Sequence, residues 1–172
     1  MKPILFPATE TEFKTNGLGR LSDAISCTVT EERNGQYELH MVYPQKGIHF
    51  SELANGRIIY AMPADNKKPQ PFRIYRISKP LSGQVEVDAE HISYQMSLIP
   101  VMPFRAAANS IETALAGIMA NAAESNPFTL TATGTHPFTT VLEITAPDSM
   151  RSLLFGQEGS VLDRYGGEWE FD

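Results

Sequence analysis

Between residues 25 and 43, hydrophobic and polar side chains alternate with a period of two. Ile25, Cys27 and Val29 fall on one side, and Ser26, Thr28 and Thr30 on the other. Tyr37, Leu39, Met41 and Tyr43 then alternate with Glu38, His40 and Val42. Successive side chains of a β-strand point to opposite faces, so each run predicts a strand with one buried and one wetter face, as in antiparallel sheets. Arg33-Asn34-Gly35-Gln36 separates the two runs. Asn-Gly accepts positive φ with little strain, which predicts that the strands close into a hairpin.

More strand signals surround this hairpin. Residues 2–6 form a short β-prone opening, followed by turn signals at Asn16-Gly17 and Gly19. Residues 48–53 suit a short helical turn begun by Ser51, and residues 57–62 an apolar strand. A polar loop, Asp65-Asn66-Lys67-Lys68, sits among Pro63, Pro69 and Pro71. Residues 72–78 and 84–92 then predict a second hairpin around Leu81-Ser82-Gly83. Five or six strands with short turns predict a small antiparallel β-barrel or sandwich over residues 1–100.

The pattern changes near Pro100 and Pro103. Ile111, Leu115, Ile118, Met119 and Ala122 recur at helical spacing. Asn109 is placed to cap this helix, with Glu112 three residues on as in a capping box, and Asn126-Pro127 to end it. Residues 128–133 and 138–145 read as two strands. Ser149 begins a short helix through Leu154 that Gly156 stops, and Ser160 begins another turn closed by Gly166-Gly167. Glu168-Trp169-Glu170-Phe171 alternate like a strand, with Trp169 and Phe171 on one face. That alternation runs to Asp172, so residues 101–172 are expected to be an α+β domain truncated at its C-terminus. The expected fold class is mainly β with α+β.

Composition narrows the function classes. The 172 residues are 42% hydrophobic and 20% charged, close to the globular average, and enough to bury a core without disulfides or metals. The single cysteine, Cys27, has no internal partner, which fits a reducing cytoplasm. The formal charge is -6 and the densest basic cluster is Lys67-Lys68. Nucleic-acid binders concentrate Lys and Arg on one face, so no specific nucleic-acid binding is expected. The apolar run Ile4-Leu5-Phe6 stops at Pro7, too short for a secretory leader. No stretch approaches a membrane span, so no membrane insertion is expected.

Candidate chemistry is sparse. His40, His49, His91 and His136 lack metal-ligand spacing, and no cysteine pair exists. Asp88, Glu90 and His91 form the densest titratable group; Asp88 and Glu90 share a strand face while His91 points the other way. A carboxylate pair serves acid–base catalysis if burial separates the two pKa values; a solvated strand face is the plainer reading. Cys27 reads as a small buried hydrophobe. No Gly-x-Ser-x-Gly elbow, dinucleotide loop or phosphate loop is present. No catalytic, cofactor-binding or metal-binding residue is therefore assigned, and no cofactor is expected.

Whole segments carry more than single residues do. Thr11-Glu12-Phe13 with Asn16-Gly17-Leu18-Gly19-Arg20-Leu21-Ser22-Asp23-Ala24 resembles the start of the phage minor structural protein family, which includes prophage endopeptidase tail and tail-associated lysin proteins. The resemblance continues through Cys27-Thr28-Val29-Thr30-Glu31-Glu32-Arg33-Asn34-Gly35-Gln36-Tyr37-Glu38-Leu39, Gln70-Pro71-Phe72-Arg73-Ile74-Tyr75 and Ala89-Glu90-His91-Ile92-Ser93-Tyr94. It resumes at Arg151-Ser152-Leu153-Leu154, Gly159-Ser160-Val161-Leu162-Asp163 and Tyr165-Gly166-Gly167-Glu168-Trp169-Glu170-Phe171-Asp172. Residues 106–137 match only in general pattern.

The resemblance implies a baseplate hub at the virion tail tip, assembled in the bacterial host cytoplasm. Such hubs are trimers that join the tail tube to the host-contacting apparatus and help DNA passage. Their partners are distal tail and tube proteins. Two related barrels per chain let a trimer meet a sixfold ring; the first would be residues 1–100. Family members often carry a peptidase or lysin module far downstream, and nothing in this stretch matches one. The alternatives are a fragment of a cell-wall-degrading enzyme using Asp88, Glu90 and His91, or a receptor- or glycan-binding module.

Overall fold

In the computed structural model, which describes residues 2–78, 82–134 and 141–172, the chain divides into two units. The first comprises residues 2–92 with Glu170–Asp172, the second Ser93–Trp169.

The first unit is one antiparallel sheet of seven strands: β1 (Ile4–Phe6), β2 (Gly19–Arg20), β3 (Ser26–Glu31), β4 (Tyr37–Pro44), β5 (Ile58–Ala61), β6 (Gln70–Ser78) and β7 (Gln84–His91). Their spatial order is β2-β1-β5-β6-β7-β4-β3. The predicted hairpin joins β3 and β4 in the register Cys27↔Met41 and Val29↔Leu39. Asn34 supplies the turn's positive φ, at 55°. The Gly35 N–H donates to the Glu32 carbonyl at 3.0 Å.

Period-two patterning decides which face is dry. β4 buries Tyr37, Leu39, Met41 and Tyr43 and exposes His40. Leu5, Ile59, Phe72, Ile74, Val85, Val87 and Ala89 complete the same inner face, all buried. β1 and β5 are covered on the other face as well, where Ile4, Phe6 and Ile58 pack with Phe13 and Tyr60. The Phe13 and Tyr60 rings stack with centroids 5.1 Å apart.

The expected closed barrel is not reached. The sheet curls into a half-barrel, and among the described residues no ladder joins its two edges, β2 and β3. Closure needs edge strands that can pair along their length, and β2 offers two residues, one of them glycine.

A bulge interrupts β6 against β7. Ile74 pairs with Ala89 and Arg76 with Asp88, leaving Tyr75 as the extra residue. An extra residue reverses the alternation beyond it. Arg76 thereby leaves the face of Phe72 and Ile74, and Ile77 takes its place on that face opposite Val87.

The second unit is α+β. Two short antiparallel ladders, β8 (Pro100–Val101) with β11 (Asp148–Ser149) and β9 (Phe104–Arg105) with β10 (Glu143–Ile144), accompany α1 (Ile111–Ala120), α2 (Met150–Leu154) and α3 (Val161–Tyr165). The α1 face predicted from spacing is buried through Ile111, Leu115 and Ile118. They pack in one core with Val101, Leu142, Met150, Leu154 and Val161. Ser149 and Ser160 cap α2 and α3 as expected, and Gly166 closes α3 with φ 68°.

Several local expectations are corrected. The cap of α1 is Ser110, whose side chain accepts from the Thr113 N–H at 3.2 Å, not Asn109. Either residue type caps a helix, and the one adjacent to Ile111 takes the position. The helix ends at Ala120 with Asn121 as its cap, ahead of Asn126-Pro127. The turn near residue 50 is a 3-10 turn, Phe50–Glu52, begun at His49 rather than Ser51. Residues 128–133 form no ladder, and of the described part of the expected strand over residues 138–145, residues 141–145, only Glu143–Ile144 pairs. The last residues, 168–172, also form no ladder. Leu81, His136, Phe138, Thr139 and Thr140 lie outside the described residues.

Two substitutions test this packing by chemical denaturation. Ser110→Ala removes the acceptor for the Thr113 N–H and should cost about 1 kcal/mol. Gly117→Ala would gain up to about 1 kcal/mol from helix propensity alone, but a Cβ there meets the Phe104 ring. A net loss of stability is therefore expected, and a gain would contradict the packing.

Candidate functional site

The titratable residues singled out from sequence do not converge. On β7, Asp88 and Glu90 share the outer face, while His91 faces the core and is 2% exposed. Glu90 lies between Glu38 of β4 and Arg73 of β6.

Asp88 instead meets two residues brought to it by strand pairing. One carboxylate oxygen lies 2.8 Å from His40 Nδ1 on β4, and the other accepts from Arg76 Nε on β6 at 2.8 Å. The carboxylate side chain is 11% exposed, whereas His40 is 51% and Arg76 64% exposed. Burial pushes the Asp88 pKa up, but its bonds to His40 and Arg76 overcome this and hold the carboxyl below its ordinary value. With both oxygens engaged, Asp88 is a poor proton acceptor and a good clamp. It ties β4, β7 and β6 together on the wet side of the sheet.

The remaining candidates have local partners. His49 Nδ1 lies 2.5 Å from Glu52, and the His49 backbone N–H donates to the Tyr43 hydroxyl at 3.3 Å. Burial pushes the Cys27 thiol up to about 11, so it stays protonated and unreactive at neutral pH. Lys67 reaches Glu31 at 3.2 Å and Lys68 reaches Asp172 at 2.8 Å. Among the described residues, no group of three or more His, Cys, Asp or Glu is placed to hold a metal ion. Among them too, no helix is long and apolar enough to cross a membrane.

Sequence reading missed an aromatic box on the inner face. Tyr37 stacks on His91 at 4.5 Å, and Phe72 meets both edge-on at 5.3 and 5.6 Å. Phe171 lies against His91 at 4.6 Å. Gln70 is buried beside them, with Oε1 3.2 Å from His91 Nε2 and Nε2 donating to the Phe171 carbonyl at 2.9 Å. The available signal was Gln70 itself, in phase with Phe72 and Ile74 and so a polar residue on the apolar side of its strand.

Two large apolar side chains stand in solvent near the start of β3. Ile25 is 56% and Ile48 80% exposed. The Ile48 N–H donates to Asp23 at 2.8 Å, fixing the backbone that carries it.

No protein-family model and no curated protein matches this sequence. Among solved structures the chain is similar to the prophage tail protein gp18 from Listeria monocytogenes EGD-e, at 17% identity and a TM-score of 0.48. The likeness covers 70% of this chain, which spans 33% of that one.

The Asp88 clamp has a signed pH dependence. Its carboxyl binds a proton less tightly in the folded than in the unfolded state. Its contribution is therefore full above the ordinary carboxylate range and fades as pH falls through the folded value. Asp88→Asn should lower stability at neutral pH by about 1–2 kcal/mol. It should also flatten the loss of stability below roughly pH 4. Urea melts from pH 7 to pH 3 measure both, and an unchanged acid limb would show that the clamp contributes nothing.

Proposed function

We propose that this chain is a structural component of a bacteriophage or prophage tail, placed at the tail tip as part of a baseplate hub, and that this stretch performs no catalysis. Strand pairing is the observation that supports it. Three of the segments that resemble phage minor structural proteins, residues 27–39, 70–75 and 89–94, are far apart in the chain. They nevertheless form parts of β3, β4, β6 and β7, which lie side by side in one sheet. That part of the resemblance thus falls on one folded element.

The surface suits a part that assembles. Among the described residues no strand pairs with the outer side of β2 or β3, and open edges pair with other chains unless managed. Ile25 and Ile48 offer apolar contact beside one of them. A net charge of -6 repels nucleic-acid phosphate, which favours passage of DNA over its retention. In this reading the partners are distal tail and tube proteins and further copies of the chain, in a trimer. Acidic side chains should face the trimer axis.

The wall-degrading alternative needs Asp88, Glu90 and His91 to act together, and they sit on opposite faces of β7.

Immunogold electron microscopy of particles from the host that carries the gene tests the proposal. Antibodies against this chain should label one end of the tail. Label on the capsid, or on no particle, would refute the tail-tip role. A zymogram on peptidoglycan should show no clearing by this chain; clearing abolished by Asp88→Asn would favour the enzyme reading instead.

A further inference from the structure

We propose that Arg151 is a receptor for a carboxylate, and that this carboxylate is an acidic side chain of another protein docking on the second unit. The inference is independent of where in a virion the chain resides.

Arg151 is the second residue of α2. Its Cζ lies 3.9 Å from the centroid of the Tyr94 ring and 4.9 Å from that of Phe155. Ring faces attract the cation, but its N–H donors still need acceptors. Arg151 Nη1 is buried and has no hydrogen-bond partner among the described residues. Native proteins rarely leave a buried donor unpaired, and the cost is larger for a charged group. The other arginines of the unit show the usual arrangement. Arg105 pairs with Glu143 at 3.0 Å, and Arg164 Nε donates to the Gly159 carbonyl at 2.9 Å. The carboxylate nearest to Arg151 along the chain is Asp148, and it is committed elsewhere. Its Oδ1 accepts from the Ser149 N–H at 2.7 Å, and its Oδ2 from the Ser152 hydroxyl at 2.9 Å and the Gln157 amide at 3.3 Å.

The chemistry of the site selects the occupant. The planar fork of a guanidinium matches a carboxylate with two parallel hydrogen bonds. Carboxylates outnumber arginines in the second unit, which has no lysine. A single negative charge is therefore repelled less than the double charge of a phosphate. Tyr94 and Phe155 offer apolar contact to the methylenes that carry a side-chain carboxylate. Arg151 is half-buried, so it is not sealed from solvent. The rings hold it by attraction rather than by directional bonds, which leaves it able to turn Nη1 toward an incoming anion.

Trp169 makes this testable. It is the only tryptophan of the chain, and its ring lies 5.1 Å from that of Phe155. At constant ionic strength, N-acetylglutamic acid α-amide should shift its fluorescence saturably in the full chain, and the neutral glutamine analogue should not. Acetate should bind about tenfold more weakly, and inorganic phosphate no better than acetate. Arg151→Gln should abolish the response. Arg151→Lys keeps the charge but loses the fork, and should weaken binding about tenfold. If circular dichroism shows the Gln variant unfolded, the Lys variant carries the test. No saturable response in the wild type, or one unchanged by either substitution, would overturn the receptor and leave Arg151 as a fastening between α2 and Tyr94. Tighter binding of phosphate would overturn the choice of carboxylate. Acetate binding as tightly as the glutamyl probe would overturn the side-chain source.

Discussion

The extra residue at Tyr75 governs how the central strands share the work of core and surface. Strict alternation along β6 would put Arg76 on the inner face after Phe72 and Ile74. An unpaired guanidinium there would be strongly destabilising, by several kcal/mol. The bulge turns Arg76 outward to Asp88 and returns Ile77 to the inner face opposite Val87. One irregularity thus keeps the core apolar and provides the cation that holds a nearly buried carboxylate. His40 completes the arrangement from the other side, so the wet face of β4, β7 and β6 is cross-tied above the dry one.

Much of this was legible in the sequence, and the rest was hidden for identifiable reasons. Alternation from Ile25 to Tyr43 and the Asn34-Gly35 turn specify the β3–β4 hairpin, because both are local. The separation of Asp88 and Glu90 from His91 follows from the same period. The bulge left a trace as well: Phe72 and Ile74 fall on even positions and Ile77 on an odd one, a slip of phase within one run. What that slip meant depended on β7 lying alongside. His40 and Asp88 are 48 residues apart, and no local rule joins them.

The misreadings share a cause, which is that local preference does not choose between neighbours. Asn109 and Ser110 both cap helices, and the position of Ile111 decides between them. Glu168 to Phe171 alternate as a strand would, yet Trp169 packs with Phe155 in the second unit and Phe171 with His91 in the first. A two-residue period is satisfied equally by one ladder or by a segment outside any ladder whose two rings pack in different places. Barrel closure failed as an expectation for a related reason. It depends on the length of β2, which pairs with β1 through Gly19 and Arg20 alone.

With the outer charges cross-tied and the inner face dry, contact with other molecules falls to the periphery of the sheet. β3 manages its edge with polar side chains, and Lys67 reaches Glu31 at its end, as edge strands that avoid uncontrolled pairing do. Ile25 and Ile48 run against that protection. Isolated exposed apolar residues are common on surfaces, but Ile48 stands on a backbone held by Asp23, and Gly47 beside it leaves no room for a Cβ against the Tyr43 ring. A rigid apolar projection loses little conformational entropy when a partner covers it, which is the property that marks an interface anchor.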